Sequence, residues 1–476
     1  LFTKELINLQ KIMLISTTYT SLSDIDTLYQ EQRALSNGRE VPSVEERIAA
    51  LQRLRKVIVE KERALMDALY TDLGKSDYES YLTEIGVALK EIDFHCKRLK
   101  RWSRPRRVGT PWFLLPSKSR LVAEPYGQVL IMAPWNYPFQ LLINPLVGAI
   151  SAGNRAVLRP SPAVPHVAAV IQEIIELVFP TAWVAVVQGD IAENQHLLSK
   201  RWDYIFFTGG PFLGKIVAEA AAKYITPVTL ELGGKSPCIV DLGCDIAQAA
   251  KRVIWGKSVN AGQTCIAPDY VWVHQSLKQD FLLAVEEAIA DMYDGDTLHS
   301  KDYGRIVNEK SFARLKSYLS EGVTWIRGGG MDEGKKYMDI AVVEVSDPQH
   351  PLMKEEIFGP ILPIRTFSSL TEVIQDINSG EKPLALYYFG KQSNAWDVIK
   401  ATSSGGVAVN DTIVHVANHH LPFGGVGGSG FGAYRGKHTF EVFSHFKGVM
   451  LSPTWFDLPL KYPPYGSLKF LKKFLG

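Results

Sequence analysis

The sequence predicts an α/β protein built on parallel sheet. From residue 120 onward, short apolar strands alternate with helical stretches, the pattern that gives a parallel sheet flanked by helices. At 476 residues the chain exceeds what one hydrophobic core usually organises, so two or three domains are expected. A composition change near Thr226-Pro227 marks a boundary, and the alternation resumes beyond it through about residue 420.

The elements follow in order. Ser43-Val44-Glu45-Glu46 is a capping box, in which the serine caps an amide while Glu46 reaches back. Behind it Val44, Ile48, Leu51, Leu54, Ile58, Leu65 and Leu69 form an apolar stripe that ends at Gly74. A second helix is expected from about residue 80 to 99. Seven basic residues then crowd into 97–107, read as a solvated helix end and linker because a proline interrupts them and net charge is only +2. Gln128–Met132 reads as a buried strand, 133–139 as a loop and 156–158 as another strand. Residues 204–207 form a strand that enters Thr208-Gly209-Gly210-Pro211-Phe212-Leu213-Gly214 and then an alanine-rich helix. That order brings a helix N-terminus over a strand end, where a phosphate is favoured, although the turn is not GxGxxG. Gly328-Gly329-Gly330 reads as a surface turn.

Composition is that of a globular protein, and its near-neutral charge gives no reason to expect a nucleic-acid partner. Cys96, Cys238, Cys244 and Cys265 are too scattered for a disulfide framework, and none forms a CxxC zinc motif. A reducing, cytoplasmic setting is therefore expected. No stretch has the ~18 consecutive apolar residues of a membrane-spanning helix. Phe2, Leu6, Leu9 and Met13 recur at helical spacing, so residues 1–15 have the pattern of a short amphipathic helix, with an upstream extension or a docking segment as its two readings.

The chemistry concentrates in two motifs. Glu231 stands in Leu230-Glu231-Leu232-Gly233-Gly234-Lys235-Ser236-Pro237, and Cys265, 34 positions later, in Asn260-Ala261-Gly262-Gln263-Thr264-Cys265. A thiolate can add to a carbonyl, and a carboxylate near the adduct can activate the water that releases it. The chain also carries Pro134-Trp135-Asn136-Tyr137-Pro138, Glu355-Glu356-Ile357-Phe358-Gly359-Pro360 and Leu421-Pro422-Phe423-Gly424-Gly425-Val426-Gly427. In order and spacing these resemble the aldehyde dehydrogenase superfamily, over roughly residues 30–465. Thr226-Pro227-Val228-Thr229-Leu230, Ala267-Pro268-Asp269-Tyr270, Ser403-Ser404-Gly405-Gly406-Val407 and Lys461-Tyr462-Pro463-Pro464 resemble its class 3 branch, which acts on fatty and aromatic aldehydes.

The resemblance implies two parallel-sheet α/β domains plus a small bridging extension. Residues 22–112 and 124–227 would bind cofactor, 228–418 would be catalytic, 113–123 and 419–456 would bridge two subunits of a homodimer, and 457–476 would form a tail. It implies Cys265 as nucleophile, Glu231 as general base for thioester hydrolysis and Asn136 as oxyanion donor. Arg159, Thr208, Gly209, Gly210, Leu232, Glu356 and Phe358 would hold NAD or NADP. Tyr137, Trp255, Thr264, Ile413 and Phe423 would line the pocket for a medium or long aliphatic, or an aromatic, aldehyde. The other three cysteines read as packing residues.

Two departures stand out. Arg159-Pro160-Ser161-Pro162 replaces the usual Lys-Pro-Ser-Glu, removing an acid that repels a 2′-phosphate and adding a bidentate cation. Asp190 pulls the other way, so the choice between NAD and NADP stays open. Gly210 stands where a serine is common and is expected to loosen diphosphate binding. His415, His419 and His420 lead into a glycine-rich motif and the chemistry needs no metal, so none is expected. In the tail, Leu468, Phe470, Leu471, Phe474 and Leu475 alternate with Lys469, Lys472 and Lys473, leaving funnel cover, dimer contact and weak membrane-surface contact open. The competing functions are a coenzyme A-acylating dehydrogenase, a thiol esterase needing no nicotinamide, and a non-catalytic binding or structural protein.

Overall fold

The structure is a computed structural model and describes residues 19–475. The expected helix at residues 1–15 lies outside them. Helix Val44–Glu60 opens with the predicted capping box, Glu46 N–H donating to Ser43 Oγ (3.2 Å) and Ser43 N–H to Glu46 Oε2 (2.7 Å). Its apolar stripe continues into Glu62–Leu73 across a break at Lys61 (φ −98°, ψ 8°), which shifts the helix without leaving the core. Gly74 ends the run in the left-handed conformation (φ 67°) that glycine adopts most cheaply.

The second helix is longer than expected and internally irregular. It starts at Asp77, capped by Ser76, passes through a π-helical turn at Tyr81–Ile85 and ends at Trp102. Arg98 of the basic run lies on the Phe94 ring, while Lys97, Lys100, Arg101, Arg104, Arg106 and Arg107 are exposed, as a solvated helix end requires.

Two large sheets position the site. The first has the order Gly430–Phe431, Val228–Glu231, Tyr204–Thr208, Gln128–Met132, Arg155–Arg159, Val184–Val186, parallel except for Gly430–Phe431. Its inner strands are buried throughout, which is why they read as unbroken apolar runs. The second has the order Val323–Arg327, Ala341–Val345, Ile361–Phe367, Tyr270–His274, Pro237–Val240, Ala385–Phe389, Gly406–Val409, antiparallel only at Val323–Arg327. Strand Val228–Glu231 pairs inside the first sheet, so the chain crosses between sheets at residues 232–236, beyond the composition change at Thr226-Pro227. Proline and a change of strand character mark the start of that last strand, not the crossing itself. The glycine run 328–330 is exposed, as expected of a surface turn.

A third, antiparallel sheet joins Arg106–Val108, Lys118–Pro125 and Ser444–Leu451. The tail helix Leu468–Leu475 places Leu471 in a cavity of about 400 Å3 beside Leu115, Met450 and Phe456. Among the described residues, none of the tail lines the cavity at Cys265.

Candidate active site

The site lies where the C-terminal ends of the first sheet's strands face the N-terminal ends of the second sheet's. Strand Gln128–Met132 runs out into the loop holding Asn136, Tyr204–Thr208 into Gly209-Gly210, and Glu231 is the last residue of its own strand. Cys265 and Glu356 each sit five positions before a strand of the second sheet, Tyr270–His274 and Ile361–Phe367. Ligands of open α/β sheets bind outside such strand ends.

Cys265 follows three successive left-handed residues, Asn260 (φ 53°), Ala261 (φ 51°) and Gly262 (φ 73°). For the first two this conformation costs of order 1–3 kcal/mol each, so surrounding contacts must hold it. They do: Asn260 N–H donates to Glu79 Oε1 (2.8 Å), and its side-chain Nδ2 donates to the carbonyls of Asn136 (2.9 Å) and Gln263 (3.1 Å). Gln263 in turn donates to Asn260 O and Arg305 O, both at 2.9 Å. At Gly262 a Cβ would overlap the Gly359 carbonyl, so no other residue fits there.

The thiol opens onto an apolar cavity of about 200 Å3, and all five expected pocket residues, Tyr137, Trp255, Thr264, Ile413 and Phe423, line it. Tyr137 Oη and Thr264 Oγ1 share a hydrogen bond of 2.6 Å across its wall. Burial pushes the Cys265 thiol up to about 12, and the Glu356 and Glu231 carboxylates add to the shift. Glu231 is buried with neither carboxylate oxygen hydrogen-bonded, and desolvation holds its carboxyl well above the usual range. Asn136 donates Nδ2 to Gln263 O (3.1 Å), while its Oδ1 has no partner. One amide hydrogen is thus spent on fixing the side chain and a second remains.

Thr208 and Glu356, two of the expected cofactor residues, carry polar atoms that a dinucleotide would complete. Thr208 Oγ1 and Glu356 Oε1 are buried without partners, unusual unless a ligand completes them. Gly210 caps helix Pro211–Ala222, and a side chain there would meet nothing within 4 Å. A Cβ at Gly233 would overlap the Glu356 carboxylate. That carboxyl is pushed up to about 8 by burial and by Asp269. Phe358, at φ 51°, packs edge-on to Trp135 with ring centroids 5.3 Å apart. Leu232 is buried and donates its N–H to Ser429 O. A cleft of about 840 Å3 runs from Gly233 and Glu356 past Lys215. Arg159 is buried; its Nη2 donates to Gly189 O (2.9 Å), its Nε has no partner, and desolvation lowers it to about 10.

The histidines do not converge. His415 packs between Tyr387 and Phe423, and burial lowers it to about 4, so it is neutral. His419 stacks on Phe94 and faces Glu91, and His420 meets the edge of Phe94. Among the described residues no group of three metal-ligating side chains occurs. Motif reading passed over Lys75, Glu84, Lys257 and Arg435, all buried charged residues near the site. Glu84, the one charge in Tyr81-Leu82-Thr83-Glu84-Ile85, carries a signal that could have found it, whereas Lys75 sits in the non-helical break between Gly74 and the Ser76 cap and carries none.

Comparison with known proteins shows the family. Residues 10–449 match the Aldehyde dehydrogenase family. The chain is 45% identical to the 4,4'-diaponeurosporen-aldehyde dehydrogenase of Staphylococcus aureus, covering 94% of this chain and 99% of that protein. It is 42% identical to the dimeric NADP-preferring aldehyde dehydrogenase of Rattus norvegicus, over 92% of this chain and 97% of the relative. Human aldehyde dehydrogenase family 3 member B1 is 44% identical, over 92% and 94%. The solved structure described as the substrate-bound state of Staphylococcus aureus AldH superposes with a TM-score of 0.93 at 44% identity, covering 95% of this chain and 99% of that one. The chain belongs to the aldehyde dehydrogenase family, in its class 3 branch, and is an NAD(P)-dependent aldehyde dehydrogenase.

Proposed function

We propose that the enzyme oxidises medium or long aliphatic, or aromatic, aldehydes to carboxylic acids through a thioester on Cys265. The observation that carries this reading is the thiol at the end of an apolar cavity, with an unpartnered Glu231 carboxyl buried nearby. Leu82 and Val414, both exposed, mark the mouth of that cavity, so a long chain can extend past it. Deprotonated Cys265 adds to the aldehyde carbon. The Asn136 amide and the Cys265 N–H receive the developing oxyanion, one such donor being worth ~3 kcal/mol. Bound NAD or NADP supplies the acceptor for the hydride that leaves the adduct carbon. Glu231 then takes a proton from the water that attacks the thioester, and the acid leaves. Glu356 would hold the nicotinamide ribose, and Thr208, Gly209 and Gly210 would cradle the diphosphate. Residues 113–123 and 419–456 bridge a homodimer.

The test is absorbance at 340 nm with octanal and benzaldehyde, NAD+ and NADP+ separately, beside Cys265→Ala. The name of the Staphylococcus aureus relative adds 4,4'-diaponeurosporen-aldehyde to the panel. A rise that needs both cofactor and Cys265 supports the reading. A rise that appears only with coenzyme A assigns the acylating reaction instead, and no rise under any condition contradicts both.

A further inference from the structure

We propose that the buried Lys75–Glu84 ion pair is a positioning device for the oxyanion donor, clamping the Asn136 loop at both ends. The proposal rests on the assignment of Asn136 as that donor. Lys75 is wholly buried, and its ammonium has three partners: Glu84 Oε1 at 2.8 Å, the Asn136 carbonyl at 2.9 Å and the face of the Tyr137 ring at 4.1 Å. Glu84, also wholly buried, uses its other oxygen to accept from the N–H groups of Phe139 (3.1 Å) and Gln140 (2.9 Å). One ion pair therefore grips residues 136 and 139–140 together.

The Asn136 carbonyl has a second donor in Asn260 Nδ2, which belongs to the thiol's own loop. With both lone pairs engaged, the peptide plane after Asn136 is fixed, and with it the base of the side chain. The Gln263 carbonyl accepts from both Asn136 Nδ2 and Asn260 Nδ2 at 3.1 Å. Lys75 thus reaches the thiol's loop through a continuous hydrogen-bonded path, and touches no residue assigned to cofactor.

The placement of Glu84 depends on an irregular element. It lies in the π-helical turn Tyr81–Ile85, whose Leu82 and Thr83 line the aldehyde cavity. Single π-turns concentrate at functional sites. Burying two charges costs several kcal/mol before their attraction is counted, so the pair is a poor device for stability alone. Its geometric effect is larger: a misplacement of ~1 Å at a reacting group can cost ~100-fold in rate.

The experiment compares wild type, Lys75→Met/Glu84→Gln, Asn136→Ala and their combination in the full-length enzyme with cofactor. The paired change removes both charges of the pair together, and the Glu79 carboxyl, which Lys75 also faces, keeps its bond from Asn260 N–H. It is expected to lower kcat ~10- to 100-fold with KM for octanal little changed, and to bring out a deuterium isotope effect with 1-deuterated octanal, because formation and collapse of the adduct become slow. In the Asn136→Ala background the same change should cost less than ~3-fold, since the group it positions is gone. Losses that multiply, or an unchanged kcat in a folded variant, overturn the proposal. Glu84→Gln alone supplies the same comparison where the double variant melts early. If Asn136→Ala itself leaves kcat intact while Cys265→Ala abolishes it, the oxyanion assignment fails instead.

Discussion

Cys265 and Glu231 both hold their protons more tightly than ordinary thiols and carboxylic acids, the first because of burial beside Glu356 and Glu231, the second because of burial alone. In the proposed mechanism each works deprotonated, so the sign follows: kcat/KM for aldehyde, which reports the free enzyme, should climb as pH rises from 6 to 9. Stability moves oppositely. A carboxyl whose folded pKa is raised contributes stability that is present at low pH and lost as pH rises through that pKa. Glu231→Gln should therefore melt higher than wild type at pH 9 and no higher at pH 5, a difference that calorimetry reads directly. The three residues proposed as catalytic could be named from the sequence because each sits inside a long motif. Lys75, Glu84 and Asn260 were not read as a unit, since nothing in local sequence says that residues 75, 84, 136 and 260 meet in space.

At the scale of elements, capping and turn chemistry read well and helix irregularities did not. The Ser43/Glu46 capping box forms as written, and Ser43→Ala should cost about 1 kcal/mol in urea unfolding. The break at Lys61 and the π-turn at Tyr81–Ile85 leave no mark in the apolar periodicity, because both keep the same face inward. The expected loosening at Gly210 finds no steric counterpart: a Cβ there would point into open space. Gly233 is the demanding position. Gly233→Ala would push the Glu356 carboxylate aside, and we expect KM for NAD+ and NADP+ to rise several-fold with kcat for octanal falling less. An unchanged cofactor KM would remove Glu356 from the ribose site.

At the scale of the molecule, the sequence conveyed two sheets but not the seam between them. The seam follows strand pairing, which is non-local, and the composition change at Thr226-Pro227 marks only the entry to the strand that ends in Glu231. The third sheet exposes an edge at Ser444–Leu451, with Met450 and Leu451 half in solvent and Leu115 and Trp455 exposed. Unpaired apolar edges invite a second chain. We predict a native mass of twice 53.0 kDa by light scattering, reduced to that of one chain by Met450→Asp/Leu451→Asp. A native mass of one chain for the wild type would withdraw the bridging role of this sheet.

The central claim is that Cys265 carries the acyl group and Glu231 drives its release. Intact-protein mass spectrometry of Glu231→Gln, mixed with octanal and NAD(P)+ and quenched in acid, tests it most directly. The account predicts one octanoyl group per chain, mapped to Cys265 and absent from Cys265→Ala. An unmodified chain that still turns over at the wild-type rate would contradict it.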